Sequence, residues 1–187
     1  MPSFFLAMLA ALLATLGGRE AVQVSRLSAS LGQATALLIA VWLSALISSA
    51  VMAWAATWIA PLLFPQAKQM FVAFALLLGG LEIWFLRAPA KPREPTRSFG
   101  AHLLVLSAAQ MGDGTRFLVA AFAAATGMPW LAAAGGAMAS GVVLTGAWVM
   151  ADEWEGRLPL GLIRGVIGCL FVVAGIVAAL GARGLIG

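Results

Sequence analysis

The chain has 187 residues, of which 63% are hydrophobic and 10% charged, and a formal net charge of +4. Soluble domains carry about 25% charged residues, so a mean hydropathy of +1.02 excludes a water-soluble globule and points to an integral membrane protein. The basic residues are spread over connections rather than gathered on one face, which argues against nucleic acid as a partner, and a single cysteine, Cys169, rules out an intramolecular disulfide.

A spanning helix needs about 20 mostly apolar residues, and only helices or closed barrels satisfy every backbone group in lipid. The period-two alternation of barrel strands is absent, so the expected fold is all-α and membrane-embedded, with six transmembrane helices. The first span, 3–25, lacks a basic leading segment and reads as a span rather than a cleaved signal peptide. It contains T-L-G-G-R-E from Thr15 to Glu20, and Gly32 ends it. The second, 34–60, carries Ser44, Ser48 and Ser49, expected in packing or along a path, and Pro61 and Pro65 bracket the turn to the third, 67–88.

Residues 89–99 form the one long polar stretch, a linker. The fourth span, 101–126, begins beside His102, expected to be solvated at the interface or to relay protons, and contains Q-M-G-D-G-T from Gln110 to Thr115. Met128-Pro129 leads into the fifth, 129–151, which carries Ser140 and Thr145 and runs into Asp152, Glu153, Glu155 and Arg157. Pro159 precedes the sixth, 162–184. Trp54, Trp58, Trp84, Trp130 and Trp154 stand toward span ends, as interfacial anchors do.

The two polar motifs occupy matching places. An offset of 95 residues links Thr15 to Gln110, Gly17 to Gly112, Gly32 to Gly127 and Gly80 to Gly175. The chain therefore reads as two three-helix repeats, 1–88 and 100–187. Three spans per half insert the second copy in the opposite sense, the inverted-repeat plan of secondary transporters with a site near the midplane. Arg26, Arg87, Lys91, Arg93, Arg97, Arg157 and Arg164 fall on one side, against Lys68 and Arg183 on the other. By the positive-inside rule the linker is cytoplasmic and both termini are outside.

Arg19, Glu20, Asp113 and Arg116 are charges at membrane depth, each costing roughly 2.5–3.5 kcal/mol on insertion scales and marking a functional site by default. Gln110 and Asp113, three apart, share one face of a helix. Their oxygens suit a hard divalent cation, with Glu20 as a second carboxylate and hydroxyls from Thr15 and Thr115. The alternative is structural, with cross-repeat ion pairs Arg19–Asp113 and Glu20–Arg116. Gly17 and Gly112 permit close helix packing or expose backbone to an ion. No nucleophile elbow, phosphate-cradling loop or His/Cys metal pattern is present, so no enzyme is expected.

With this topology, the motifs resemble the duplicated E-x-G-D-[KR]-[ST] signature of the Gdt-type cation/proton exchanger family of the LysE transporter superfamily. The segments L-G-Q, G-M-P and L-P-L-G-L-I-R-G-V-I-G-C-L-F-V-V-A-G, the last from Leu158 to Gly175, look similar too. The resemblance implies exchange of manganese or calcium against protons, with no bound cofactor, a bilayer as partner and a bacterial plasma membrane as location. Gln110 stands where the family has Glu, Gly112, Asp113 and Thr115 match, and Gly114 replaces the basic residue. In the first copy Thr15 replaces Glu, Gly17 and Arg19 match, Gly18 replaces Asp, and Glu20 replaces Ser or Thr. Glu20 and Asp113 then face Arg19 and Arg116 for a net charge of zero. That balance leaves open an anion or zwitterion as substrate, or a scaffold with a structural charge cluster.

Overall fold

The computed structural model describes residues 2–90 and 98–185, and every regular element among them is helical. Lys91, Arg93 and Arg97, which enter the orientation argument, lie outside the described residues.

The first expected span is two helices, α1 (Pro2–Gly17) and α2 (Arg19–Leu31), bent by 58°. The break sits at Gly18, whose φ of −77° and ψ of 168° are extended. A Cβ there would stand 2.7 Å from the Ala14 carbonyl oxygen, so only glycine fits. Then come α3 (Thr35–Ile59), a 3-10 turn at Pro61, and α4 (Pro65–Phe85), which starts on a proline. Proline suits a first helical turn because its missing N–H would have no partner there.

The fourth expected span is also interrupted, into α5 (Phe99–Met111) and α6 (Gly114–Thr126). Asp113 is extended there, with φ −99° and ψ 144°, and stands 95 residues after Gly18. Both second pieces, α2 and α6, end on a left-handed glycine, Gly32 at φ 67° and Gly127 at φ 69°. The chain finishes with α7 (Pro129–Met150), the short α8 (Glu153–Arg157) and α9 (Leu160–Ala182). Helices α3 (with its 3-10 turn), α4, α7 and α9 are long and apolar enough to cross a membrane, and the bent pair α1–α2 makes a fifth candidate. At 13 residues each, α5 and α6 are shorter than a span.

The closest helix packing runs between the two halves of the chain: α4 against α9, α1 against α7, and α3 against α7 and α5. Helix α6 sits inside, touching α1, α3, α4 and α7. Small residues allow this, since helices in lipid associate by close backbone approach rather than by burying apolar surface from water. Gly135 lies under the Phe4 carbonyl, Gly136 under Val119, and Gly168 under Trp84. At Gly141 a Cβ would fall within 2.5–2.7 Å of the Trp42 ring, whose Nε1 donates to Thr145 Oγ1 at 3.1 Å. Gly141→Ala should therefore destabilise by about 1–3 kcal/mol through overpacking. A melting temperature equal to that of the parent protein would reject this packing.

Two expectations about side chains at helix ends change. Trp54, Trp58 and Trp130 are exposed, as anchors would be, but Trp154 is buried against α2, α3 and α7 in a cluster with Ala21, Val24, Leu37 and Leu144. The fold-back at α8 turns its ring inward. His102 is buried rather than solvated, and neither ring nitrogen has a hydrogen-bond partner.

At the linker end, Arg26 of α2 donates from Nε and Nη2 to Glu155 of α8 at 2.7 and 2.8 Å, and from Nη1 to the Pro89 carbonyl at 2.6 Å. Arg164 of α9 donates to the Ile83 carbonyl at 2.9 and 2.6 Å and to that of Leu86, satisfying the carbonyls left free at the end of α4. Arg157 pairs with Glu153 one turn earlier, at 2.9 Å.

Candidate functional site

The two helix breaks meet inside the bundle. Arg19 and Glu20 open α2, and Asp113 caps α6 with its backbone, its side chain making no capping bond. Breaking a helix at depth exposes N–H groups and the positive end of its dipole to whatever lies ahead. What lies ahead of α6 is Glu82 of α4, whose Oε2 accepts the Gly114 N–H at 2.5 Å. A Cβ on Gly114 would stand 2.8 Å from that oxygen and 3.0 Å from Gly79 Cα, so glycine is required for the approach.

Glu82 is the residue that the sequence reading did not single out. Its Oε1 lies 3.5 Å from Arg19 Nη2, so Arg19 pairs with Glu82 and not with Asp113 as expected. The cause is topological: the bend at Gly18 turns the start of α2 toward the end of α4. Nor does Glu20 form the expected ion pair with Arg116: neither Glu20 oxygen has a hydrogen-bond partner, and Arg116 donates to neutral oxygens instead.

Three carboxyls gather here. Asp113 is an electrostatic neighbour of both Glu20 and Glu82. Glu20 is 4% exposed and Asp113 6%. Neither Glu20 oxygen, nor Asp113 Oδ2, nor Glu82 Oε1 receives a hydrogen bond from a protein donor. Like charges held near one another out of water repel strongly, so a cation among these carboxyls would be stabilised. Three carboxyls against Arg19 and Arg116 leave one surplus negative charge, where the motifs alone gave zero.

Arg116 is fully buried. It donates from Nε to Ser48 Oγ at 2.7 Å, from Nη1 to Ser140 Oγ at 2.8 Å and from Nη2 to Gln110 Oε1 at 3.0 Å. Thr15 Oγ1 completes the cradle 3.1 Å from Ser140 Oγ, and Ser48 Oγ lies 3.0 Å from Gln110 Oε1. Gln110 and Thr15 are thus turned toward the guanidinium. The helical face that Gln110 was expected to share with Asp113 is lost because the chain breaks at Gly112 between them. Thr115 is buried and lines a narrow pocket with Arg19, Glu82 and Asp113. Gly17 packs against Ile83 and Ile167, and Gly112 lines the larger cavity beside Asp113.

That larger cavity, of about 300 Å³, opens between α3, α4, α5 and α6 and ends on Glu82, Asp113 and Gly114. Met52, Leu78, Met111 and Phe117 form its walls. Among the described residues no three His, Cys, Asp or Glu side chains converge to hold a metal, so a cation bound by all three carboxyls requires them to draw closer.

Comparison with known proteins gives one match. Residues 98–184 fit the family model described as the divalent cation/proton antiporter GDT1. No curated protein and no solved structure matches the chain. The matched segment runs from the start of α5 through α9 and includes Gln110, Gly112, Asp113 and Thr115, the motif residues of the second half. That segment is just under half of the chain, so the chain is similar to the GDT1 family of divalent cation/proton antiporters over its second half, and its long apolar helices make it an integral membrane protein.

Proposed function

We propose that the chain exchanges a divalent cation for protons at a centre made by Glu20, Asp113 and Glu82. The observation that carries this reading is Asp113, buried within the electrostatic reach of Glu20 and Glu82 and lining the cavity beside Glu82. Such a group holds either protons or a cation, and alternation between the two is what coupled exchange requires. Arg116 offsets part of the buried charge without entering the cavity, and Gln110, Thr15, Ser48 and Ser140 fix it there. Thr115 supplies a hydroxyl beside Asp113.

An anion or zwitterion is the weaker reading, because both arginines are engaged, Arg116 with neutral oxygens and Arg19 with Glu82. The carboxyl oxygens suit either manganese or calcium, both hard cations that bind such groups.

The extended Gly18 and Asp113 and the left-handed Gly32 and Gly127, each pair 95 residues apart, support two inverted three-helix repeats, 1–88 and 100–187, moving against each other. Arg26, Arg87, Arg157 and Arg164 at the linker end, against Lys68 and Arg183, favour a cytoplasmic linker in a bacterial plasma membrane with both termini outside.

The test is thermal unfolding of the purified protein with manganese, calcium or magnesium at equal ionic strength. A ligand at a hundred times its Kd stabilises by about 2.7 kcal/mol. The transported cation, manganese or calcium, is expected to raise the melting temperature most and to drive proton movement in proteoliposomes. No shift with any of the three at any pH would favour the scaffold reading.

A further inference from the structure

We propose that the cation moves along one face of α4 and that Glu82 is the barrier across its path. This rests on the exchange reading above. Leu78, Glu82 and Leu86 follow one another at four-residue spacing, so they lie on one stripe of α4 and its end. Leu78 lines the cavity of about 300 Å³. Leu86 lines a second, narrow pocket of about 10 Å³, room for a single water, together with Gly18 and Arg19. Glu82, Asp113 and Gly114 line both spaces. The wall between them is therefore made by these three residues, two of which contribute a side chain.

Gly114 contributes no side chain to that wall, and the Glu82 carboxyl closes it. The carboxyl is tied on one oxygen by the Gly114 N–H and faces Arg19 with the other. Both ties are electrostatic, to a helix N-terminus and to a guanidinium, so a divalent cation arriving beside Asp113 competes with both for the same oxygens. When the cation takes Glu82, the carboxyl leaves α6 and Arg19, and the wall opens toward Leu86 and the linker end. Without a cation the carboxyl stays tied and the wall stays shut, as an exchanger that must not leak requires.

The experiment reads this wall by labelling. In a Cys169→Ser background, Leu78→Cys and Leu86→Cys are made singly, reconstituted in oriented vesicles, and exposed to a membrane-impermeant thiol reagent from either side. Leu78→Cys should react only from the side of Lys68, and Leu86→Cys only from the linker side. Adding Glu82→Ala should abolish this sidedness, so that Leu78→Cys reacts from both. Manganese should do the same in the Glu82 protein but not in Glu82→Gln, which keeps an acceptor for the Gly114 N–H without the charge. Glu82→Ser, too short to span the wall, replaces Glu82→Ala if the latter does not fold.

Leu78→Cys reacting from both sides with Glu82 intact, or from neither side, overturns the proposal. So does retained sidedness in a folded Glu82→Ala or Glu82→Ser protein. Labelling does not depend on flux. Retained manganese flux with a failed wall test removes only the barrier, whereas absent flux with a successful wall test removes the exchange reading.

Discussion

Asp113→Asn should lower divalent-cation flux in proteoliposomes on the order of a hundredfold, equivalent to about 2.8 kcal/mol, while leaving the protein folded. The two halves of this expectation have separate causes. Asn matches Asp in shape, and the Asp113 side chain makes no capping bond to α6, so the helix break does not depend on its charge. What is lost is the carboxyl whose charge acts on both Glu20 and Glu82. An amide there can neither carry an exchangeable proton nor supply negative charge to a cation. Stability should hold or rise, because a carboxyl crowded by two others is relieved of repulsion. A structural ion-pair cluster predicts the reverse, a fall in melting temperature with no flux to lose. If Asp113→Asn and Glu20→Gln both keep full cation flux, the centre lies elsewhere.

Arg116→Met should be the most destabilising substitution at the site, by about 3–5 kcal/mol, the range for removing one partner of a buried charge group. The side chain is fully buried and its three bonds go to Ser48, Ser140 and Gln110. Removing it leaves those oxygens without their donor and leaves Glu20 and Asp113 without their nearest fixed positive charge. Adding Glu20→Gln to Arg116→Met should restore part of the loss, since one uncompensated carboxyl disappears with it. Unfolding of the four members of this double-mutant cycle measures the coupling directly. A coupling energy of zero would mean that Arg116 serves only its hydroxyl and amide partners.

Much of the helix plan was legible in the sequence, because prolines and glycines mark where apolar runs stop. The expected spans 34–60, 129–151 and 162–184 lie within two residues of Thr35–Ile59, Pro129–Met150 and Leu160–Ala182. The breaks fall inside the two polar motifs, which were read as sites within continuous spans rather than as interruptions of the helix. The cue was Gly17-Gly18 and Gly112-Asp113-Gly114, pairs of residues that release the backbone where a continuous span has no use for them. The site was legible as two motifs but not as a contact set. Glu82, near the end of the third span, was not singled out at all. Its cue was local: it follows Gly79-Gly80, and such a pair lets α4 come close enough to α6 and α9 for a side chain on the same face to reach a neighbouring backbone. Arg116 stands two places beyond the motif's basic position, and spacing alone does not say that a cradle of four polar side chains holds it.

The packing of α1 on α7, α3 on α5 and α7, and α4 on α9 bears on how the protein is made. When α4 leaves the ribosome, the helices it and its predecessors pack against have yet to be synthesised. The first four helices must wait in the bilayer, with Glu20 and Glu82 still lacking Arg116 and the Gly114 N–H. Assembly then completes only as α9 emerges, so any truncation that stops translation before α9 should yield a chain cleared by membrane quality control rather than a half-active protein.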